Sequence, residues 1–297
     1  MQQLTVFTPT YNRAYRLGRC YESLTRQSNK NFIWLIIDDG STDETYELVS
    51  GWIREEKTFE IRYLYQENKG MHSAHNLAYE NISTPLNVCI DSDDYMPDRA
   101  VEKILKFWEE AEKDESVAGF LGLDAFEDGE IVGTCFPPEL ERATSYDYYY
   151  GHKIKGDKKY IIRTDLAKLY PYPIFEGEKY VNLATKYSLL DLDYKFLNLN
   201  EVLCIIEYLQ DGSSKNMFRQ YIHNPKGFAY SRKLSMSLPH CGLRFKFRQA
   251  VHYVSSSIIS RDSRFYKDCP SKLLLLAAAL PGLLWFLYIK YRYRKDY

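Results

Sequence analysis

Four times in its first 113 residues the chain runs from a short apolar segment through a polar turn into a helix-forming stretch. LTVFT (4–8) precedes a helical period over 14–27, and FIWLIID (32–38) precedes one from Asp43 to about Lys57. IRYLYQ (61–66) leads to a helix over 71–80. LNVCID (86–91) leads to DRAVEKILKFWEEAEK (98–113), whose apolar residues recur at helical spacing. Strands that read as continuous apolar runs are buried on both faces, and parallel strands need a helical crossover between them. The pattern therefore predicts a doubly wound α/β sheet with right-handed crossovers.

In an open α/β sheet, ligands sit outside the carboxyl ends of the strands. Those four ends read TPTYNR (8–13), DDGSTD (38–43), ENKG (67–70) and DSDD (91–94). The last delivers Asp91, Asp93 and Asp94 to one place. Helix capping accounts for one acid, Asp94 before Pro97, but not for three. An EF-hand is excluded, because counting from Asp91 puts Tyr95 and Met96 where a ligand and a glycine are required. A short acidic motif that leaves coordination positions open suits Mg2+ or Mn2+ shared with substrate phosphates. No GxxxxGK[ST] loop and no GxGxxG fingerprint occurs, which argues against a glycine cradle for the phosphates. His72 and His75 are spaced i, i+3 with no third ligand nearby, so a zinc site is rejected.

The second half is less regular. GFLGLDAFEDGEIVGTCF is expected to form a hairpin turning at Asp128–Gly129, YIIR a strand, 179–190 a helix and YKFLNLNEVLCIIEYL mostly strand. A basic, aromatic, helical stretch occupies 216–236. The formal net charge of −1 gives no general attraction for nucleic acid. Six scattered cysteines without a CxxC, and no signal peptide, fit reduced thiols in the cytosol.

The four strand-end segments, in this order and spacing, resemble glycosyltransferase family 2, in its bacterial polysaccharide and capsule branch. The resemblance covers about residues 1–215 and implies the GT-A fold, a Rossmann-like, mostly parallel sheet that binds nucleotide sugars. It implies Thr8, Pro9, Tyr11 and Arg13 around the base, Asp39 toward uracil or ribose, and Asn68, Lys69 and Gly70 lining the nucleotide pocket. Asp91 and Ser92 would approach the ribose. Asp93, with Asp91, would hold the Mn2+ or Mg2+ that bridges the diphosphate. The implied reaction is single-displacement, inverting transfer of one sugar from a UDP-sugar to a lipid-linked or polysaccharide acceptor. The QxxRW motif of processive relatives is absent, since no tryptophan lies between Trp108 and Trp285. The alternative is a catalytically silent sugar-nucleotide or glycan-binding protein with the same fold.

Family position places the general base in FEGEKYVNLA, at Glu178 where loop is expected to become helix, with Glu176 as the alternative. Ser213, Ser214 and Lys215 are candidates for touching the diphosphate. The region 216–297 is read as a C-terminal extension. Its apolar run Leu273–Ile289 would be ~26 Å long as one helix, short for a ~30 Å hydrocarbon core. Pro281–Gly282 falls near its middle and basic residues flank both ends. This predicts a kinked, shallow or re-entrant contact with the cytoplasmic face of a bacterial inner membrane.

Overall fold

The computed structural model describes residues 2–207 and 216–296. All four expected strand–helix pairs form: β1 (Leu4–Thr10), α1 (Ala14–Thr25), β2 (Phe32–Asp38), α2 (Thr45–Glu55), β3 (Glu60–Tyr65), α3 (Met71–Asn81), β4 (Leu86–Cys89) and α4 (Ala100–Ala111). They are followed by β5 (Val117–Ala125), β6 (Arg142–Ala143), β7 (Lys158–Arg163), α5 (Thr164–Leu169), α6 (Ala184–Leu190) and β8 (Lys195–Ile205). The C-terminal part holds α7 (Met217–His223), α8 (Pro225–Ser237), α9 (Leu243–Ser260), α10 (Phe265–Asp268) and α11 (Lys272–Asp296). The chain divides into two compact units. One holds the residues up to 171 together with Asp193–Glu207, and the other holds Tyr172–Leu192 with the C-terminal helices. Packing is thus interleaved along the chain: 172–192 leaves the sheet unit and 193–207 returns to it.

The first unit is built on one mixed sheet of eight strands in the order β3-β2-β1-β4-β7-β5-β8-β6. β1, β2, β3 and β4 run parallel to one another. Alternation along β1 shows why both faces are covered. Leu4 and Val6 join Leu17, Leu24, Trp34, Trp52 and Trp108 in one core. Phe7 turns to the other face, where its ring meets His75 and Tyr79 of α3 edge-on at 5.0 and 5.4 Å.

Departures from the expected plan fall in the second half. β7 enters the sheet antiparallel between β4 and β5. The turn at Asp128–Gly129 forms, with Gly129 at φ +87° and the Phe126 amide donating to the Glu130 carbonyl. Its return arm is only the single bridge Ala125–Ile131, because β5 is already paired on both sides by β7 and β8. The helix expected over 179–190 starts at Ala184, whose amide is capped by Asn182 Oδ1 at 2.9 Å.

In the second unit α11 is one continuous helix of 25 residues, so the expected interruption at Pro281–Gly282 does not occur. Pro281 lies on the exposed side. Gly282 is a packing device: a Cβ there would stand 2.5 Å from Val254 Cβ, so only glycine lets α11 approach α9 this closely.

Gly119 of β5 is the tightest point in the sheet. It sits at φ +139°, and a Cβ would lie 2.0 Å from the Ile161 carbonyl oxygen of β7. Gly119→Ala is expected to cost about 3 kcal/mol through backbone strain and overlap. A urea-denaturation midpoint shifted strongly downward is the expected reading.

Candidate active site at the strand ends

The four polar strand ends are tied to one another by side chains that close each loop onto the next. Asn12, at φ +51°, donates its amide to Ser41 Oγ (2.9 Å), and its Oδ1 accepts from the Thr42 amide (2.7 Å). Asp43 Oδ2 accepts from the Ala14 amide at 3.0 Å, at the start of α1. These contacts join the first loop to the second. Asp38 closes its own turn by accepting from the Ser41 amide (2.7 Å) and from the Tyr63 hydroxyl (2.5 Å). Asp39 joins the second loop to the third. Its Oδ1 accepts from Gln66 Nε2 (2.6 Å) and the Lys69 amide (2.9 Å), and its Oδ2 accepts from the Gly70 amide (2.8 Å). Gly40, at φ +88°, lets this happen, because a Cβ there would be 2.7 Å from the Asn68 nitrogen. Arg13 Nη1 reaches Asp93 Oδ2 at 3.1 Å and joins the first loop to the fourth.

The sequence-derived residues of the four strand ends, Thr8 excepted, therefore lie in or beside loops tied to one another. Tyr11 is 48% exposed at the mouth of the loops. Asn68 and Ser92 lie beside the braced turns, and Lys69 projects to the surface. Thr8 and Pro9 are buried. Thr8 does not face the loops at all: its hydroxyl accepts from Trp34 Nε1 at 3.0 Å, 3.9 Å from Cys20 Sγ, inside the core. Strand alternation decides this, since Thr8 shares a face with Leu4 and Val6. Ser213, Ser214 and Lys215 lie outside the described residues.

The acids after β4 occupy a charged cluster that local sequence does not reveal. Lys159 of β7 lies 3.8 Å from Asp94 Oδ2, both side chains nearly buried. Asp124 of β5 belongs to the same cluster. Burial pushes the Asp94 carboxyl up to about 8, and pushes those of Asp91 and Asp124 above the usual carboxylate range. Burial alone would lower the Lys159 ammonium, but Asp124, Asp94 and Asp91 more than offset it and keep it charged. Asp94 is thus the partner of Lys159 and not the cap of α4, which begins six residues later at Ala100.

Asp91 and Asp93 fit a divalent cation. They are hard oxygen donors, and Asp93 is partly exposed, as a shared site requires. Across the cluster, Asp91, Asp93, Asp94 and Asp124 are met by Arg13, Lys158 and Lys159, and the burial that raises Asp91, Asp94 and Asp124 favours their protonated forms. Among the described residues no group of three or more His, Cys, Asp and Glu side chains has metal-holding geometry. Further oxygens would have to come from a ligand's phosphates and water, the usual arrangement for Mg2+. The two histidines have different surroundings. His75 Nδ1 lies 3.3 Å from the Tyr79 hydroxyl, whereas neither buried ring nitrogen of His72 meets a partner among the described residues.

In the second unit, Glu178 is not at the start of α6. It caps α8 from a distance in sequence: Oε1 accepts from the Lys226 amide at 2.9 Å and Oε2 from the Gly227 amide at 2.8 Å. Asn224 returns the contact by accepting from the Lys179 amide (2.7 Å). Burial raises the Glu178 carboxyl, and the two amides act against that rise. A negative side chain at a helix N-terminus is stabilised by the peptide dipoles. Glu176, two residues earlier, is exposed.

Two consequences are measurable. Glu178→Ala leaves the buried Gly227 amide and the partly buried Lys226 amide without this acceptor and is expected to cost ~1–3 kcal/mol, read as a lowered melting temperature. Asp39→Ala removes the brace of the third loop. Hydrogen exchange at the Lys69 and Gly70 amides should then speed by roughly tenfold or more, while amides in the middle of β2 stay protected.

The chain's similarity to known proteins matches this geometry. The description of "Glycosyl transferase family 2" matches residues 5–161, which span β1 through the middle of β7. Glycosyltransferase GlyA of Streptococcus pneumoniae serotype 4 is 31% identical over 178 residues, 59% of this chain but only 25% of that protein. An uncharacterized glycosyltransferase of Rickettsia felis is 39% identical over 108 residues, 36% of this chain and 17% of that one. The chain thus spans a quarter or less of these two relatives. The crystal structure of S. aureus TarS 1–349 in complex with UDP-GlcNAc superposes with a TM-score of 0.65 at 17% identity, covering 99% of this chain and 92% of that one. At that identity the likeness establishes the fold. By the match over more than half its length, the chain belongs to glycosyl transferase family 2.

Proposed function

We propose that this protein is an inverting glycosyltransferase that moves one sugar from a nucleotide-sugar donor, a UDP-sugar, to a lipid-linked or polysaccharide acceptor in bacterial surface-glycan synthesis. The observation that carries the reading is the gathering of Asp91, Asp93 and Asp94 at the end of β4, within a set of loops braced against one another. The TarS complex with UDP-GlcNAc supports the choice of UDP. In this reading Tyr11 and the 68–70 turn border the nucleoside, Asp91 and Ser92 lie toward the ribose, and Arg13 and Asp93 lie toward the diphosphate. A divalent cation, Mn2+ or Mg2+, held by Asp93 and Asp91 would supply charge for the departing diphosphate. Preorganisation is the protein's share. Asp39 and Asn12 fix the loops before the donor arrives, so little ordering remains to be done on binding.

The general base is assigned to Glu176 in place of Glu178. A base needs a free carboxylate oxygen within reach of the acceptor hydroxyl. Both Glu178 oxygens are held by α8, and Glu176 is the exposed acid of the same segment. Location at the cytoplasmic face of the inner membrane fits the six free cysteines and the apolar helix α11. A silent binding protein of the same fold is the competing reading, and turnover separates the two.

Screening nucleotide sugars for hydrolysis tests the donor and the metal together. Turnover of at least one UDP-sugar is expected, with loss in EDTA and recovery on adding Mn2+ or Mg2+. Asp93→Asn should retain the fold and lose most turnover; full activity in EDTA would exclude the metal role. Glu176→Gln should lower kcat by ~10²–10⁴-fold with donor affinity kept. Glu178→Gln should keep kcat within about tenfold while lowering stability. The opposite pattern would return the base to Glu178.

A further inference from the structure

α11 is apolar on two opposite sides, and only one of them is covered. Leu275, Ala278, Gly282 and Ile289 are buried, and the α9 residues Ala250, Tyr253 and Val254 pack against this seam. On the other side Leu273, Leu276, Leu280, Leu283, Leu284 and Leu287 are all exposed, the first three by 66–72%. Their i, i+3, i+4, i+7 spacing sets them in one stripe about 100° wide along the helix. A stripe of this kind marks an interaction surface.

We propose that α11 lies flat in the membrane interface, with this leucine stripe sunk into one leaflet and both ends on the same side of the bilayer. The proposal rests on the membrane location suggested above and fixes its geometry. Length alone allows spanning, since 25 residues of helix reach ~37 Å. Packing forbids it. α9 lies against the seam and carries Arg244, Lys246, Arg248 and His252. The far end of α11 is held by α7, where Phe218 meets Tyr288 and His223 lies 3.1 Å from the Tyr293 hydroxyl. Driving α11 across a bilayer would draw these polar helices into hydrocarbon, where charged side chains are strongly disfavoured.

Charge selects a lipid surface over a second copy of the chain. Lys272 precedes the stripe, and Lys290, Arg292, Arg294 and Lys295 follow it, with no acid between Asp268 and Asp296. Two stripes packed face to face would set basic ends near basic ends in either direction. Anionic headgroups complement them. Tyr288 and Tyr291 are exposed at the stripe's basic end, as side chains with an apolar body and a polar tip are at interfaces.

The test uses the full chain, because removing α11 would uncover Tyr253 and Val254. The protein is floated with sealed vesicles of equal phosphatidylglycerol and phosphatidylcholine. Leu280→Glu, at an exposed position, should leave the melting temperature and donor hydrolysis unchanged and lower the vesicle partition coefficient at least ~10-fold. Ser271→Cys and Lys295→Cys, mapped by peptide mass after a membrane-impermeant maleimide, should both react without detergent. Protection of one of the two until detergent is added would show a spanning helix and overturn the proposal. Equal partition of Leu280→Glu and the parent would overturn it as well. A parent that does not float and is a dimer, made monomeric by Leu280→Glu, would assign the stripe to a second copy. Vesicle binding that follows the proposal in a protein that turns over no donor would sink the enzymatic reading and leave this one standing.

Discussion

The end of β4 gathers acids that burial makes costly to ionise, and the sheet is arranged to meet them. Buried carboxylates are costly unless they are paired, protonated or bound to a cation. The fold answers first with topology. By entering antiparallel between β4 and β5, β7 brings Lys159 opposite Gly122 of β5 and beside Asp94, with Asp124 in the same cluster. A parallel strand at that place would present a different register to both neighbours. The reversed strand and the buried ion pair are therefore two aspects of one solution.

That solution is incomplete by itself. Lys159 pairs with Asp94 and Arg13 with Asp93, and burial still holds Asp91, Asp94 and Asp124 above their usual range. Apolar residues of similar volume would often stabilise a fold as well as a buried ion pair does. In the reading proposed above, the acids kept at this edge of the sheet are a cost carried for a ligand. This links the electrostatics to the braced loops. Asp39, Asn12 and Asp43 place their hydrogen bonds on neighbouring loops, and that fixes the turns around the acids.

Most of the first half was legible because the signal is local. Continuous apolar runs gave β1 to β4, helical spacing gave α1 to α4, and the polar turns between them fell at the strand ends. Side-chain direction was harder. Thr8 follows the two-residue period of β1 into the core, although it opens a motif whose later members face the loops. Lys159 and Asp124 could not be found by pattern, because their proximity to Asp94 depends on where β7 inserts, about 65 residues beyond the acids in the chain. Glu178 misled for a related reason. A glutamate before a helical period reads as the first turn of the next helix, whereas its partners are the amides of Lys226 and Gly227, 48 and 49 residues away.

The tail shows the same limit from the other direction. Proline and glycine side by side in an apolar run signal a break when no neighbour is considered. Here Pro281 sits on the exposed side, and Gly282 lets α11 settle against Val254, so the pair shapes a seam without ending the helix. An apolar run that is hydrophobic all round is ambiguous in sequence, since a buried helix and a spanning one look alike. Packing resolves it: one side is used up against α9, and the leucines of the other side remain. A helix that is half core and half surface has no separate hydropathy signature, because the two apolar sides add to the same composition as a membrane span. Of its small residues Ala277, Ala278, Ala279 and Gly282, only Ala278 and Gly282, four apart, fall on the close-packed side.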